Sequence, residues 1–304
     1  ENKAATEDLN GAFFGVGIEL GYRDSTLAVI APIAGSPADK AGVKAGDLIL
    51  HIKDEKKNVD LDTQGMTLPT AVTHIRGEKG TDVVLTLYRE GGAKSFEQAI
   101  TRDQIIVPSV ELKFVEKNGK KIAHLELHKF GGRTDREWLA SVDEILTKKP
   151  AGVILDLRNN PGGYLDGAVF VASEFLTTGT VVKQEGRNSS ETFSVDRRGS
   201  LTGIALVVLV NKGSASASEI TAGALQDNKR AKIIGEQSFG KGTVQEVQDL
   251  SDGSSLHVTV AKWILPSGRW IGKEGITPDI VVEDDLETKD IDEQLEKAVE
   301  IVLK

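Results

Sequence analysis

The chain has 304 residues, of which 39 % are hydrophobic and 27 % are charged. It can therefore bury a sizeable core and is not a disordered polyelectrolyte. Acidic residues outnumber basic ones by 46 to 37, and the net charge of -9 argues against a binder of nucleic acid or anionic membranes. The absence of cysteine excludes disulfide scaffolds, thiolate zinc sites and cysteine nucleophiles.

The first 104 residues predict a lead-in followed by a small β-rich domain. Residues 1–12 are polar and lack an initiating methionine, so we interpret them as a trimmed or processed start whose targeting segment is lost. From 13 to 104, short β-type runs alternate with Gly, Pro and Asp turns. Two helices are predicted in this region, over 36–47, where Ser and Pro open the segment, and over 68–80.

The remainder, 105–304, predicts an α/β domain. Apolar strands alternate with amphipathic helices, which is typical of a largely parallel sheet covered by helices. Asn118-Gly119 predicts a hairpin turn near its start. The predicted strands lie at 122–128, 152–158, 204–210, 232–236, 242–250 and 255–265, and the predicted helices at 135–149, 165–176, 216–227 and 290–304.

One serine stands where a strand turns into a helix. The segment Ser-Ala-Ser-Ala-Ser-Glu, 214–219, follows the apolar strand 204–210. A hydroxyl at a helix start is exposed at the sheet edge, beside backbone N–H groups able to hold an oxyanion. Ser216 with Glu219 also matches a capping box, so a purely structural role stays open at this point.

A lysine between two glycines is the second candidate. Lys241 can approach another backbone closely, and an amine desolvated there can accept a proton from a serine hydroxyl. Gln245 would share its face on an extended segment and could orient the amine. The alternative is a glycine turn with a solvated lysine.

A third motif, Arg-Asn-Asn-Pro-Gly-Gly at 158–163, follows a predicted parallel strand. Glycines at such a strand end can turn amides toward a bound carbonyl, although an ordinary turn would look the same. The motif matches neither of the glycine-rich phosphate-binding patterns. We expect no metal site: His124 and His128 are spaced to align on a helix, the local pattern is a strand, and no acidic third ligand is evident.

Taken together, the motifs resemble the C-terminal processing peptidases (tail-specific proteases, peptidase family S41A), in which a PDZ domain precedes a Ser/Lys protease domain. The resemblance implies an α/β, crotonase/ClpP-like protease core with β-rich cap elements at 105–304, and a β-rich PDZ domain at 13–104. Residues 1–12 would be the remnant of a longer N-terminal segment. The matching stretches are FFGVGIEL (13–20), SPADKAGVKAGDLIL (36–50), IRGEKG (75–80), LDLRNNPGGYL (155–165), VVLVNKGSASASEITAGALQD (207–227), GEQSFGKGTVQ (235–245) and GITPDIVV (275–282).

The resemblance also assigns roles in catalysis. Ser216 would be the nucleophile, Lys241 the general base and Gln245 the residue that orients the base. The oxyanion hole would be formed by the backbone amides of Ala217 and Gly162. No metal or other cofactor is expected.

For recognition, the resemblance points to a loop and an arginine. The loop that binds a peptide carboxylate would comprise Gly15, Val16, Gly17 and Ile18. Arg76 is a candidate for coupling the domains, with a solvated surface arginine as the alternative. The expected partners are proteins or peptides with free, apolar C-termini and no nucleic acid. A homo-oligomer and a regulatory adaptor stay open.

The expected function is a serine endopeptidase that captures a substrate C-terminus and cleaves upstream through an acyl-enzyme. Two alternatives remain: a non-catalytic peptide-binding adaptor, and a small-ligand carrier on the crotonase fold. The presence of Ser216, Lys241 and Gln245 argues against both. The family implies a location outside the cytoplasm, in the periplasm, cell envelope or plastid lumen.

Overall fold

The computed structural model describes residues 12–33, 35–92, 94–249, 255–272, 274–283 and 291–304. Contacts divide the chain into two compact units, Ala12–Val107 and a second that runs from Pro108 to Lys304. The division falls three residues beyond the boundary expected at 104. Strand β8 (Asp103–Ile106) causes this difference, because it pairs antiparallel with β1 (Ala12–Gly15).

The first unit is built on an antiparallel sheet whose inner face forms the core. Leu27, Ile49, Ile52 and Leu85 are at most 1 % exposed. This burial agrees with the alternation of apolar and polar residues in the predicted β-type runs. Its strands are β2 (Ile18–Arg23), β3 (Thr26–Pro32), β4 (Leu48–Asp54), β5 (Val59–Asp62), β6 (Asp82–Tyr88) and β7 (Phe96–Thr101), in the order β2-β3-β4-β6-β7 with β5 on β4.

Two helices accompany this sheet, and each begins after a capping side chain, of which Ser36 is the one that the sequence predicted. Helix α1 (Pro37–Lys40) starts after Ser36, and helix α2 (Leu68–Ile75) starts after Thr67; each cap side chain accepts a backbone N–H. The helix predicted over 36–47 was wrong beyond Lys40, because Gly42, with φ +82°, turns the chain out of the helix.

The second unit contains a six-stranded sheet that is parallel except for its edge strand β9. The hairpin between β9 and β10 turns at Asn118 and Gly119, both with positive φ, as the sequence predicted. The strands are β9 (Val110–Lys117), β10 (Lys120–Leu127), β11 (Val153–Asp156), β14 (Leu206–Val210), β15 (Lys232–Gly235) and β18 (Ile280–Val281), in the order β18-β15-β14-β11-β10-β9.

Helices cover both faces of this sheet, as the strand–helix alternation predicted. Three of them, α3 (Thr134–Lys148), α4 (Leu165–Phe175) and α5 (Ala217–Asp227), contribute to one core. Helix α6 (Glu293–Val302) packs Ala298, Val299 and Val302 in a second cluster with residues from the strands. Within the described residues, no helix has the length and apolarity needed to cross a membrane.

A separate four-stranded antiparallel sheet completes the second unit. It comprises β12 (Thr180–Gly186), β13 (Ser190–Ser194), β16 (Thr243–Asp249) and β17 (Ser255–Ile264), in the order β13-β12-β17-β16. Strands β12 and β13 have no counterpart in our sequence predictions. The edge strand β16 begins two residues after Lys241, so this sheet leads directly from that lysine.

Candidate active site

Ser216 occupies a sharp turn between strand β14 and helix α5. Its backbone angles, φ +54° and ψ -114°, lie where non-glycine residues are rarely found, even among those of positive φ. Such strained strand-to-helix turns present a nucleophilic hydroxyl above the sheet in the α/β-hydrolases. The backbone at Ser216 is therefore shaped by more than the needs of a helix cap.

The neighbouring serines have hydroxyls that are already engaged in the core. Ser214 Oγ donates to the Leu157 carbonyl at 2.8 Å, and Ser218 Oγ donates to the Asn160 carbonyl at 2.9 Å. Both of these serines are completely buried, whereas Ser216 is partly exposed. Of the three hydroxyls, that of Ser216 is the one placed to meet a substrate.

A buried carboxylate joins the serine turn to the lysine loop. Glu219 Oε2 accepts the backbone N–H of Ser216 at 2.8 Å and that of Lys241 at 2.9 Å. Glu219 Oε1 accepts the Ser238 hydroxyl and the Gly240 N–H, both at 2.6 Å. The predicted capping box is present. The glutamate of this box, Glu219, also fixes the lysine loop. The sequence did not predict that contact, because Ser238 and Gly240 lie about 20 residues further along the chain.

The side chains of the proposed pair are not joined in this structure. Lys241 and Gln245 are exposed, and in the part of the chain described no hydrogen bond links Lys241 Nζ to Ser216 or to Gln245. Lys241 lies outside β16, which begins at Thr243, and the β16–β17 register shifts between Val244 and Gln245. Strand periodicity therefore does not place Lys241 and Gln245 on one face. The role of Gln245 stays a prediction.

The glycine turn that follows β11 packs against the serine turn. A Cβ on Gly162, whose φ is +99°, would lie 2.8 Å from Ser216 Cβ and 2.9 Å from Ala217 N. A Cβ on Gly163 would lie 2.0 Å from the Phe130 carbonyl oxygen. Both positions therefore require glycine, and the turn lies beside the candidate nucleophile as the resemblance implied.

The backbone N–H groups of this region differ in whether they are already hydrogen-bonded. Gly162 N–H, which the resemblance assigned to the oxyanion hole, donates to Asn160 Oδ1 at 2.9 Å. Ala217 is the first residue of α5, where a backbone N–H has no partner within the helix. Among the described residues, the bridge between Gly163 and Phe130 uses the flanking Gly162 carbonyl and Tyr164 N–H rather than the Gly163 N–H.

A charged network lies at the ends of β10 and β11, beside the glycine turn. Asp156 accepts from His124 Nε2 at 2.9 Å and from Arg158, whose guanidinium also reaches Asp292. Burial alone would raise the pKa of Asp156, but hydrogen bonds from His124 and Arg158 and the Arg158 charge lower it to about 2. This network anchors the start of α6 to the strand that leads into the glycine turn.

That lowered pKa predicts a contribution to acid stability. Because the folded pKa of about 2 lies below the ordinary aspartate pKa of 3.8, stabilisation by Asp156 is complete above about pH 4 and is lost as the pH falls toward 2. Asp156→Asn should lower the free energy of unfolding at pH 7 by about 3 kcal/mol, since a buried charge loses its partner. The loss should shrink at pH 2.5.

Urea unfolding followed by tryptophan fluorescence measures this effect, because all three tryptophans, Trp138, Trp263 and Trp270, belong to the second unit. The control is Asp143→Asn, on the exposed face of α3. Equal stability of Asp156→Asn and wild type at pH 7 would contradict the assigned role.

The first unit has a small groove at its proposed peptide-binding loop. A cavity of about 60 Å³ lies between β2 and α2, with Val16, Gly17, Ile18 and Arg76 among its lining residues. The Val16 and Gly17 carbonyls accept N–H groups from Ala38 and Ile33, which fixes the loop. The Arg76 guanidinium stacks 4.1 Å from the Phe13 ring centroid, so Arg76 forms part of the groove wall.

Comparison with known proteins gives the family. The model described as peptidase family S41 matches residues 121–282, more than half of the chain. The chain belongs to peptidase family S41. A PDZ domain model matches residues 29–89, within the first unit. The family and the PDZ domain predicted from the motifs are thereby confirmed.

Named relatives agree with this assignment. The chain is 42 % identical over 293 residues to the carboxy-terminal-processing protease of Bartonella bacilliformis, covering 94 % of this chain and 65 % of the relative. It is 37 % identical to the carboxy-terminal processing protease CtpA of Bacillus subtilis, covering 92 % and 58 %. The chain thus spans about three fifths of the length of these relatives.

A solved structure, that of a photosystem II D1 C-terminal processing protease, is 31 % identical with a TM-score of 0.57. The match covers 97 % of this chain and 77 % of that one. A putative S41 protease from Bacteroides fragilis shares the fold with a TM-score of 0.62 at 16 % identity. The mixed α/β architecture with a PDZ domain is therefore confirmed.

Proposed function

We propose that this S41 family member is a serine endopeptidase that binds the C-terminus of a protein substrate in its PDZ groove and cleaves a peptide bond at Ser216. The observation that carries the proposal is the strained turn at Ser216, held through Glu219 to the backbone of Lys241. Digestion of unfolded casein by the full chain tests it, because a peptide-binding adaptor would leave casein intact.

In the proposed mechanism, the neutral amine of Lys241 takes the proton from Ser216 Oγ as that oxygen bonds to the substrate carbonyl carbon. Collapse of the tetrahedral intermediate breaks the C–N bond, and Lys241 returns the proton to the leaving amine. A water then attacks the ester, with Lys241 accepting its proton and Ser216 recovering its own. No step needs a metal or a nucleotide.

The lysine must lose water before it can act as this base. A solvated lysine amine is protonated at neutral pH, and Lys241 is exposed here. We therefore propose that bound substrate excludes water from Lys241 and brings its amine to Ser216, with Gln245 orienting it. In this proposal, the structure described is that of the site before substrate binds.

For the oxyanion, the proposed donors are Ala217 N–H and an amide of the turn at Gly162–Gly163. The Gly162 amide would have to leave Asn160 Oδ1 to serve. The Gly163 amide lies in the same turn and is not used by the bridge to Phe130. The second donor is therefore Gly162 if its bond to Asn160 opens when substrate binds, and the adjacent Gly163 if that bond persists.

We further propose that the core is of the crotonase/ClpP-like class, with the second sheet of strands β12, β13, β16 and β17 as its β-rich cap. The parallel sheet with helices on both faces supports this class. A location outside the cytoplasm, substrates with apolar C-termini, and a homo-oligomer or an adaptor as partners are also carried forward as proposals from the family resemblance.

Glu219 should act as a positioning residue. Glutamine has one acceptor oxygen where the carboxylate has two, so Glu219→Gln loses part of the contact that fixes both loops. We expect kcat to fall about 10- to 100-fold, as misplacement of reacting groups by about 1 Å does. KM should change little, because the peptide groove belongs to the other unit.

Steady-state kinetics on one peptide measure this split between kcat and KM. The control is Glu236→Gln, whose carboxylate pairs with the exposed Lys212 at 2.6 Å. An unchanged kcat in Glu219→Gln, with the thermal midpoint unchanged, would contradict the positioning role.

The groove predicts a preference for a free carboxylate. A peptide with an apolar end should bind more tightly as the acid than as the amide, by about 1.5–3 kcal/mol for a charged hydrogen-bonded group. Calorimetric titration with paired peptides measures this difference. Equal binding of the two peptides would remove the carboxylate-binding role of Gly15 to Ile18.

Arg76 is tested with the same peptides. If it couples the domains, Arg76→Ala should still bind the free acid but lose the stimulation of cleavage of a second, tailless substrate. Arg23→Ala is the control, since Arg23 pairs with Glu90 on the surface, outside the groove. Unaltered stimulation in Arg76→Ala would leave Arg76 as a groove-wall residue alone.

A further inference from the structure

The last four residues of strand β10 and the position after it form the sequence His-Leu-Glu-Leu-His, 124–128. Side chains on a strand repeat their direction every two residues, so His124, Glu126 and His128 share one face just as a helix would align positions four apart. A strand therefore allows these two histidines to contribute to one site. The acidic residue that seemed missing lies between them.

A second strand completes the group. Glu126 is paired in register with Glu111 of β9, which places two carboxylates directly across the sheet on the same face. One ligand atom each from Glu111, Glu126 and His128 lie within 4.8 Å of one another. His128 Nε2 is 3.6 Å from Glu111 Oε2, close to the ~3.4 Å between two ligands of a tetrahedral zinc.

His124 adds a buried imidazole beside this group. The residue is 6 % exposed, and its Nε2 lies 2.9 Å from Asp156. Its other ring nitrogen, Nδ1, lies 3.6 Å from Glu126 Oε1. The buried imidazole thus lies between Asp156 and Glu126 and holds Glu126 in place, as outer partners of metal ligands do.

In the structure described, Lys113 supplies a positive charge beside these carboxylates. Lys113 Nζ lies 2.9 Å from Glu126 Oε1 and 3.2 Å from Glu111 Oε1. Its side chain is 53 % exposed, so it can swing into solvent when another cation arrives. Lys113 therefore competes with a metal ion for the two carboxylates but does not block access to them.

The site also has space and a favourable charge. A cavity of about 300 Å³ opens beside Glu126 and His128, and Asp156 and Glu236 also line it. The one guanidinium there, that of Arg158, is already bound by Asp156 and Asp292. Room for water ligands and an excess of carboxylates suit a divalent cation.

We propose that Glu111, Glu126 and His128 form a binding site for a divalent transition-metal ion, with the buried His124 beside Glu126 as a positioning residue. Imidazole and carboxylate ligands in this number suit Zn²⁺. Because the ligands lie on β9 and β10 and do not include Ser216 or Lys241, the site is separate from the proposed catalytic residues. Its test does not depend on the proteolytic function.

Calorimetric titration of the chelator-treated, untagged full chain with ZnCl₂ tests the proposal. Wild type should take up one Zn²⁺ per chain with micromolar affinity, and Glu126→Gln and His128→Ala should each weaken this uptake at least tenfold. Lys113→Ala should bind Zn²⁺ more tightly, because the competing ammonium is gone. His74→Ala, which removes a histidine of the other unit, should leave the affinity unchanged.

Three results would overturn the site. Wild type that shows no saturable uptake at micromolar Zn²⁺ would do so, as would uptake that survives both Glu126→Gln and His128→Ala. Weaker binding in Lys113→Ala would also contradict the proposal, since it assigns Lys113 the role of competitor. A thermal midpoint raised by Zn²⁺ in wild type, and not in Glu126→Gln, gives independent support in the folded protein.

Discussion

Ser216→Ala should abolish turnover while leaving the fold and the binding of peptide C-termini intact. Removing the nucleophile of a serine protease costs on the order of 10⁴- to 10⁶-fold in kcat. The backbone N–H that Glu219 accepts is retained in alanine, so the turn keeps its anchor. The measurement is the rate of casein cleavage, with peptide binding followed separately.

The neighbouring serines provide matched controls. Ser214→Ala and Ser218→Ala each remove a buried hydrogen bond to a backbone carbonyl, so their expected effect is a loss of stability of about 1–3 kcal/mol. Activity in these two variants should persist at temperatures where they remain folded. An active Ser216→Ala beside an inactive but folded Ser214→Ala or Ser218→Ala would show that the wrong serine has been assigned.

Lys241→Arg should be inactive at every pH at which the protein is folded. Guanidinium does not deprotonate in this range and cannot accept the serine proton, although it retains the charge. In wild type, activity should rise with pH, because only the neutral amine acts as base. Gln245→Ala should lose part of kcat and keep the same pH profile if Gln245 only orients the lysine.

The pH profile of kcat/KM with a peptide substrate measures this. Lys262→Arg is the control, because Lys262 belongs to strand β17 and its ammonium lies over the Trp270 ring. Full activity in Lys241→Arg would remove the Ser/Lys assignment. A flat profile in wild type would show that the base is another group.

Local sequence patterns predicted most elements of the second unit. The apolar run 204–210 and the helix start at Ser216 needed only periodicity and a capping pattern, and the structure has β14 and α5 at those places. The helix over 36–47 failed because Gly42 adopts positive φ. The composition typical of a helix continues beyond Gly42, but the backbone leaves the helical conformation at that residue.

The sequence did not predict the contacts between segments that are distant along the chain. Nothing near Glu219 indicates that it also accepts N–H groups of Gly240 and Lys241, because those residues come close only through the packing of α5. The competition of Asn160 for the Gly162 amide is likewise a contact of the folded turn. The family motifs named the catalytic side chains, but the exposure of Lys241 could be known only from the structure.

The central claim, that Ser216 forms an acyl-enzyme, is tested most directly by trapping that ester. Full-length protein is mixed with excess peptide substrate, quenched in acid within the first turnovers, digested and mapped by mass spectrometry. The account predicts the mass of the N-terminal product fragment, less water, on the peptide that contains Ser216, and none in Ser216→Ala. An adduct on another residue, or cleavage by Ser216→Ala at the wild-type rate, would contradict it.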